Sequence, residues 1–252
     1  MLLTNGAPVA VAVVAGLILG AGIGFFNGFI IAKIGINPFV TTLSSLSLFR
    51  GLTLIITKGR NISGLPDSFK AIGQTTVLGV QTPILIAAFL IIVGDILLRR
   101  FRFFRQSYYI GGNERAARLS GIAVDRMKTL AYVLTGLFAG LAGIVMTARL
   151  GAASMTAGTG LELRVITAVI IGGASLQGGE GTVLGAFLGS LLMALITNAL
   201  TLLGVDVYWQ TFVIGGTLLA AVLIDQLGKK SAQSKGVARA ALGPDVAGKK
   251  SA

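Results

Sequence analysis

The chain has 252 residues, 54% of them hydrophobic and 12% charged, with mean hydropathy +0.86, net charge +12, no cysteine and no histidine. A soluble domain carries roughly 45–50% apolar and 25% charged residues, so this composition describes a multi-span membrane protein. Without cysteine there is no disulfide or thiol chemistry, and without histidine the usual general base and commonest metal ligand are missing. This argues against hydrolytic and metal-dependent catalysis, and no catalytic residue, cofactor or metal is expected.

A bilayer crossing needs about 20 apolar residues. Crossings are predicted at 8–32, 38–57, 80–98, 129–148, 182–203 and 209–227. A seventh apolar segment, 163–176, is too short: 14 residues reach only about two thirds of the hydrocarbon core at about 1.5 Å per residue. It continues backwards through "MTAGTG" as an irregular segment, which membranes tolerate only where protein or a water-filled cavity covers the backbone. Within the spans Gly16, Gly20, Gly24 and Gly28 recur every fourth residue, and Gly136/Gly140 and Gly185/Gly189 repeat the spacing. Such stripes let helix backbones approach closely in lipid and are read as packing surfaces.

A net charge of +12 could suggest a nucleic-acid partner, but the basic residues are gathered between and after spans, where they face anionic lipid and not nucleic acid. Residues 99–128 carry eight (Arg99, Arg100, Arg102, Arg105, Arg115, Arg118, Arg126 and Lys128) against Glu114 and Asp125, and the tail from 229 carries six more. Both segments are thereby expected in the cytoplasm. Counting crossings from the central loop puts 149–162 outside, "SLQGGEG" inside, 204–208 outside and the tail inside. The two basic segments thus agree on one topology. The same count leaves residues 1–7 outside, and the chain is expected to be an incomplete copy of a longer one. Residues 1–228 read as one transmembrane domain and 229–252 as a basic, disordered tail.

No Asp or Glu lies central in any span, which argues against a proton- or sodium-driven carrier with an acidic midplane relay. Arg50, inside "LSLFRGLTLII", is the exception to this apolar pattern. Two readings fit it: a cavity-wall residue held by carbonyl or hydroxyl groups, or a side chain snorkelling to the outer interface. Asn37, Thr41 and Ser44 in the same span are candidate pathway residues, although hydroxyls of this kind name no ligand.

"IGGASLQGGEGTVLGAFLGS" (171–190) holds seven glycines. Gly173 and Gly178 have the GxxxxG spacing of a P-loop, but Gly179 and Glu180 stand where Lys and Ser or Thr are required. A carboxylate there would repel a triphosphate. Nor does GxGxxG occur, since Gly179, Gly181 and Gly185 are spaced one residue too wide. The stretch is read as a helix break at Gly172, Gly173, Gly178, Gly179 and Gly181, where glycine permits close approach and φ > 0. Glu180 is either a contact for a cytoplasmic partner or a solvated loop carboxylate.

In the central loop, "GGNERAARLSGI" places Asn113, Glu114, Ala117, Leu119 and Gly121 on a short helix with small and apolar residues on one side and Arg115 and Arg118 on another. Such an element suits docking into a partner's groove or lying on anionic lipid.

"NPFVTTLSSLSLFRGLTLIITKGR" (37–60), "YYIGGNERAARLSGIAVDRMK" (108–128), "TARLGAASMTAGTGLELRVITAVIIGGASLQGGEGTVLGAF" (147–187) and "LLGVDVYWQ" (202–210) closely resemble the permease subunits of bacterial ABC importers for ribose and related monosaccharides. The resemblance runs from about residue 10 to residue 227. It implies an all-α, ten-span polytopic fold, of which this chain holds about seven membrane segments and lacks about three at the front, together with a "GGIDLSVG"-like break. It further implies a cytosolic ATP-binding subunit, a periplasmic or lipid-anchored sugar-binding protein and a second permease copy, identical or not, all set among membrane lipids in the bacterial inner membrane. Coupling to the ATPase is then expected through Gly112, Asn113, Glu114, Ala116, Ala117, Leu119 and Gly121. The competing reading is a secondary transporter or channel without an ATPase. A membrane-embedded enzyme fails for want of any His, Cys or paired-carboxylate constellation.

Overall fold

The computed structural model describes residues 2–241, with side chains to residue 227. Its long elements are helical, and six are long and apolar enough to cross a membrane. Two compact units divide at residues 159 and 160.

The first unit contains α1 (Val9–Phe29), α2 (Pro38–Thr57), α3 (Asp67–Gln74), a two-stranded antiparallel hairpin of β1 (Thr76–Val77) and β2 (Val80–Gln81), α4 (Thr82–Arg100), α5 (Arg102–Gly112), α6 (Glu114–Leu119) and α7 (Val124–Leu150). The second contains α8 (Leu161–Ile171), α9 (Val183–Leu202) and α10 (Val207–Ala241). The helix α10 carries its backbone through 229–241, and the rest of the expected tail, 242–252, lies outside the described residues.

In the first unit α1 lies along α7, and the glycines set the distance. A Cβ on Gly20 would collide with the Gly136 carbonyl oxygen, one on Gly24 with that of Tyr132, and one on Gly28 would stand 2.9 Å from Thr129 Cα. On the facing helix, a Cβ on Gly136 would collide with the Gly20 carbonyl. Lipid chains are as apolar as leucine, so burial from water does not bring two spans together. Dispersion between surfaces in van der Waals contact does, and it is largest where no side chain intervenes. After Phe29 the helix widens into one π-turn, Ile30–Ile34, and stops at Gly35, whose φ of 82° is the left-handed conformation of a helix C-cap.

The short helix α3 closes the other end of this pair. Leu65, Phe69 and Ala148 form a small buried cluster with Val9, Val13 and Ile144 packed on it. Gly73 lets α3 meet the α7 backbone at Ala148 and Arg149, and the Gln74 side-chain amide donates to the Arg149 carbonyl at 3.1 Å. Both α3 and the hairpin lie between expected crossings, in a stretch where the sequence reading assigned no element.

In the second unit the half-length α8 packs on α9 in the same way. A Cβ on Gly172 would collide with the Gly185 carbonyl, and one on Gly189 with that of Ala168. Ala168, Met193 and Ile214 form the buried cluster shared with α10.

Large apolar side chains elsewhere point outward: Leu19 is 67% exposed, Ile55 75% and Ile224 71%. For helices solvated by hydrocarbon this is the low-energy arrangement, since the solvent matches the side chain. Expected and observed bounds differ most at α10, whose helix runs on to Ala241 past the predicted end at 227, and at α7, which begins five residues earlier than the predicted crossing. Its 27 residues span about 40 Å, more than the roughly 30 Å hydrocarbon core, so its first turns project beyond it.

The glycine contacts are testable with a matched pair. Nothing lies within 4 Å of a Cβ added at Gly22, whereas one at Gly24 overlaps α7 backbone. Gly22→Ala is expected to be neutral or slightly stabilising, because alanine is the better helix former by about 1 kcal/mol. Gly24→Ala is expected to destabilise by about 1–3 kcal/mol or more. Thermal unfolding in detergent checks both, and equal melting temperatures would show that this contact does not hold the pair.

Candidate functional site

The basic segment between α4 and α7 folds as two short helices. The chain turns out of α4 at Phe101, in extended conformation, into α5. Gly112 ends α5, and Asn113 starts α6: its side-chain oxygen accepts from the Ala116 N–H at 3.0 Å, satisfying a backbone donor that a helix start leaves open. The helix closes at Ser120, and Gly121, at φ 82°, releases the chain towards α7.

Ion pairs tie α6 to the foot of α7. The Glu114 carboxylate accepts from Lys128 at 2.7 Å and from Arg118 at 3.1 Å, and Arg118 also reaches Asp125. The hydrogen bond from Lys128, with that from Arg118 behind it, holds the Glu114 carboxyl below the usual range against an opposing desolvation effect. Asp125, then Glu114, raise the Arg118 guanidinium further. One exposed pair contributes only about 0.2–1 kcal/mol. Three sharing partners fix a six-residue helix that would not hold its shape alone.

The faces of α6 differ from expectation. Ala117, expected on a docking surface, is only 4% exposed. Leu119 points away and is 91% exposed. Gly112, Asn113, Ala116 and Gly121 are exposed as well, and Glu114 is half-buried in its ion pairs. A cavity of about 540 Å³ opens between α5 and α6, lined by Tyr108, Tyr109, Asn113, Ala116, Ala117 and Ile122 among others.

On α2, Asn37 is the helix cap, accepting from the Phe39 N–H at 2.9 Å with Pro38 at the first helical position. Thr41 is buried and returns its hydroxyl proton to the Asn37 carbonyl, while Ser44 is exposed. Arg50 donates to the Thr159 hydroxyl, 109 residues along the chain. It lines a recess of about 280 Å³ with Thr53, Ser154 and Met155. The same 151–159 segment is fastened again beyond α2: Ile62 and Ala153 exchange backbone hydrogen bonds, and the Met155 N–H donates to the Asn61 side chain at 2.9 Å. Arg50 is therefore one of several ties between α2 with its following loop and the segment after α7.

In the second unit the break between α8 and α9 holds the predicted glycines. Gly172 ends α8 against Gly185, and Gly173, Gly178, Gly179 and Gly181 all have positive φ. Thr182 restarts the helix, its hydroxyl oxygen accepting from the Gly185 N–H at 3.0 Å. Glu180 is exposed. At the opposite end of the pair from this break, where α8 starts and α9 ends, the two helices border a groove of about 490 Å³, with Arg164, Ser190, Thr197, Asn198 and Thr201 in its wall. The sequence reading did not single out these residues. Their signal was present as polar positions at i, i+7, i+8 and i+11 on one face of an apolar span.

A family model described as branched-chain amino acid transport system, permease component, matches residues 1–222. The ribose import permease protein of Escherichia coli (strain K12) is 44% identical over 219 residues, which are 85% of this chain and 68% of that protein. The ribose import permease protein of Bacillus subtilis (strain 168) is 41% identical over 233 residues, 92% of this chain and 72% of that protein. The D-allose transport system permease protein of Escherichia coli (strain K12) is 36% identical over 220 residues, covering 87% and 68%. No solved structure matches significantly.

The Arg50 tie makes a graded prediction. Arg50→Lys keeps a donor within reach of Thr159 and is expected to leave folding and transport nearly intact, whereas Arg50→Leu removes the donor and is expected to lower both several-fold. Protein yield and transport assays on the two variants decide it, and equal, near-normal values for both would leave Arg50 a snorkelling side chain only.

Proposed function

The chain belongs to the family described as branched-chain amino acid transport system, permease component, and from that premise we propose that it is the membrane-spanning subunit of an ATP-driven importer of ribose-like monosaccharides. Its similarity to permeases named for ribose and D-allose import supports that substrate class. ATP is hydrolysed on a separate cytosolic subunit, a binding protein outside delivers the sugar, and a second permease copy completes the translocation path in the bacterial inner membrane. Residues 1–228 act as the permease domain. The 99–128 loop and the basic tail face the cytoplasm, as their Lys and Arg content supports.

The observation that carries the proposal is the build of α6. It exposes Leu119 on the water side of the loop while Glu114 and Arg118 clamp it to Lys128 and Asp125 at the foot of α7. A fully exposed leucine on a rigidly held helix suits a partner's groove. Force applied by an ATPase at Leu119 passes through the ion pairs to α7, and from α7 through the glycine contacts to α1. Rigid-body rocking of packed helices is the usual means of alternating access. Glu180, exposed at the α8–α9 break, lies on the same predicted side of the membrane and is a second candidate contact. A carrier without an ATPase has no role for Leu119, and uptake that follows an ion gradient rather than ATP would favour it.

Leu119→Asp is expected to leave the permease folded, since the side chain touches little of its own chain. It is expected to weaken retention of the ATPase subunit by roughly tenfold or more, as removal of an interface anchor does. Ala117→Trp is expected to unsettle α6 itself and lower the melting temperature. Co-purification, sugar-stimulated ATP hydrolysis and unfolding read these apart, and unaltered ATPase retention and coupling in Leu119→Asp would defeat the docking assignment. Orientation has its own check in the cysteine-free background: Ser107→Cys is expected to be shielded from an impermeant thiol reagent outside intact cells and Ala153→Cys to react. The reverse pattern would invert the topology.

A further inference from the structure

The groove between α8 and α9 has a wall chemistry that the packing of the two helices does not require. Five polar side chains, Arg164, Ser190, Thr197, Asn198 and Thr201, line about 490 Å³ of space inside two apolar helices, with Met193 at its buried edge. That volume falls within the roughly 300–1,000 Å³ of small-molecule sites. Their hydrogen bonding is also sorted. The Ser190 hydroxyl donates to the Phe187 carbonyl at 2.8 Å, Thr197 to Met193 at 2.9 Å and Thr201 to Thr197 at 2.9 Å. With their protons committed to the helix backbone, Ser190 and Thr197 offer oxygen lone pairs to the groove. Thr201 is held in addition by the buried Gln210, whose side-chain amide donates to its hydroxyl at 3.2 Å and to the Val205 carbonyl at 3.1 Å.

Donors come from the other groups. The Arg164 backbone N–H donates to the Gly160 carbonyl at 3.4 Å, but the side chains of Arg164 and Asn198 make no hydrogen bond or ion pair with the described residues. The guanidinium can only donate, and the amide both donates and accepts. Facing lipid, such groups would be strongly unfavourable, whereas ionisable and polar residues at membrane depth are found where water or a solute meets them. No carboxylate lines the groove, so a cation finds no counter-charge, and one guanidinium is weak provision for a phosphate. Alternating acceptors and donors beside apolar Met193 and Val165 match a neutral molecule whose hydroxyls each donate and accept and whose C–H faces are apolar.

We infer that this groove is a binding subsite for a neutral polyhydroxylated solute, with Asn198 and Arg164 as its donors and Ser190 and Thr197 as its acceptors. It rests on the import reading for its role, as a station on the outer half of the path, because α8 starts and α9 ends on the predicted outer side. α8 spans only about 16 Å of the roughly 30 Å core, and the space beside it is what the solute occupies.

The test uses the complete importer with its ATPase and binding protein, and D-ribose and D-allose as probes. Ala194 lines the groove beside these residues and is exposed. In the cysteine-free background Ala194→Cys is expected to react with a water-soluble thiol reagent, and saturating D-ribose to slow that reaction at least about threefold. Asn198→Leu and Thr197→Val are each expected to lower sugar uptake roughly tenfold in complexes that still assemble with the ATPase and the binding protein on co-purification. Asn198→Gln should restore most of the uptake, which a purely structural role would not give. Normal uptake in both Asn198→Leu and Thr197→Val, or an Ala194→Cys thiol that is unreactive or unprotected by either sugar, overturns the inference. If the unaltered complex takes up neither sugar, the import reading fails, and sugar protection of Ala194→Cys still decides whether the groove binds polyols.

Discussion

Contact between helix backbones is the constraint on which each unit is built. In the first, Gly20, Gly24 and Gly28 of α1 meet Gly136 and the Tyr132 and Thr129 backbone of α7. In the second, Gly172 meets Gly185, and Gly189 meets Ala168. A hydrocarbon solvent gives no reward for burying leucine, so surface fit remains as the source of cohesion, and fit improves as side chains shrink to nothing. The price is a pair of surfaces that accept no added methyl group.

That cohesion makes the helices effective levers. α7 is longer than the membrane core is thick, so its first turns stand in water, and there Asp125 and Lys128 hold α6. The ion pairs are individually weak, but together they keep a short helix in register on the end of α7. The backbone contact with α1 lies beyond them on the same rod. At the far end α3 and the Leu65–Phe69–Ala148 cluster grip α7 again.

The second unit solves a different problem. A helix of 11 residues cannot cross, and its ends bring backbone groups to membrane depth that must be satisfied. The glycines after Ile171 let the chain turn tightly, and Thr182 caps the next helix at once. The short helix leaves an open flank, and the polar face of α9 borders it.

Amino-acid order alone determined the class of the molecule. The lengths of apolar runs set the number of long spans, the glycine spacing set which faces pack, and the paired basic segments supported one topology. These are local properties, written in windows of about twenty residues. The order did not reveal α3, whose reason for being helical is its grip on the end of α7, residues away in sequence. Nor could it tell Ala117 from Leu119: both sit on the same six-residue helix, and only the packing around that helix decides that the small residue is buried and the large one bare. Arg50 reads equally well in the sequence as a snorkelling cation or a wall residue, and that Thr159 lies beside it is visible only in three dimensions. The groove of Arg164, Thr197 and Asn198 likewise needed two helices side by side, because a cavity belongs to the space between elements, and spacing along one chain segment does not specify its neighbour.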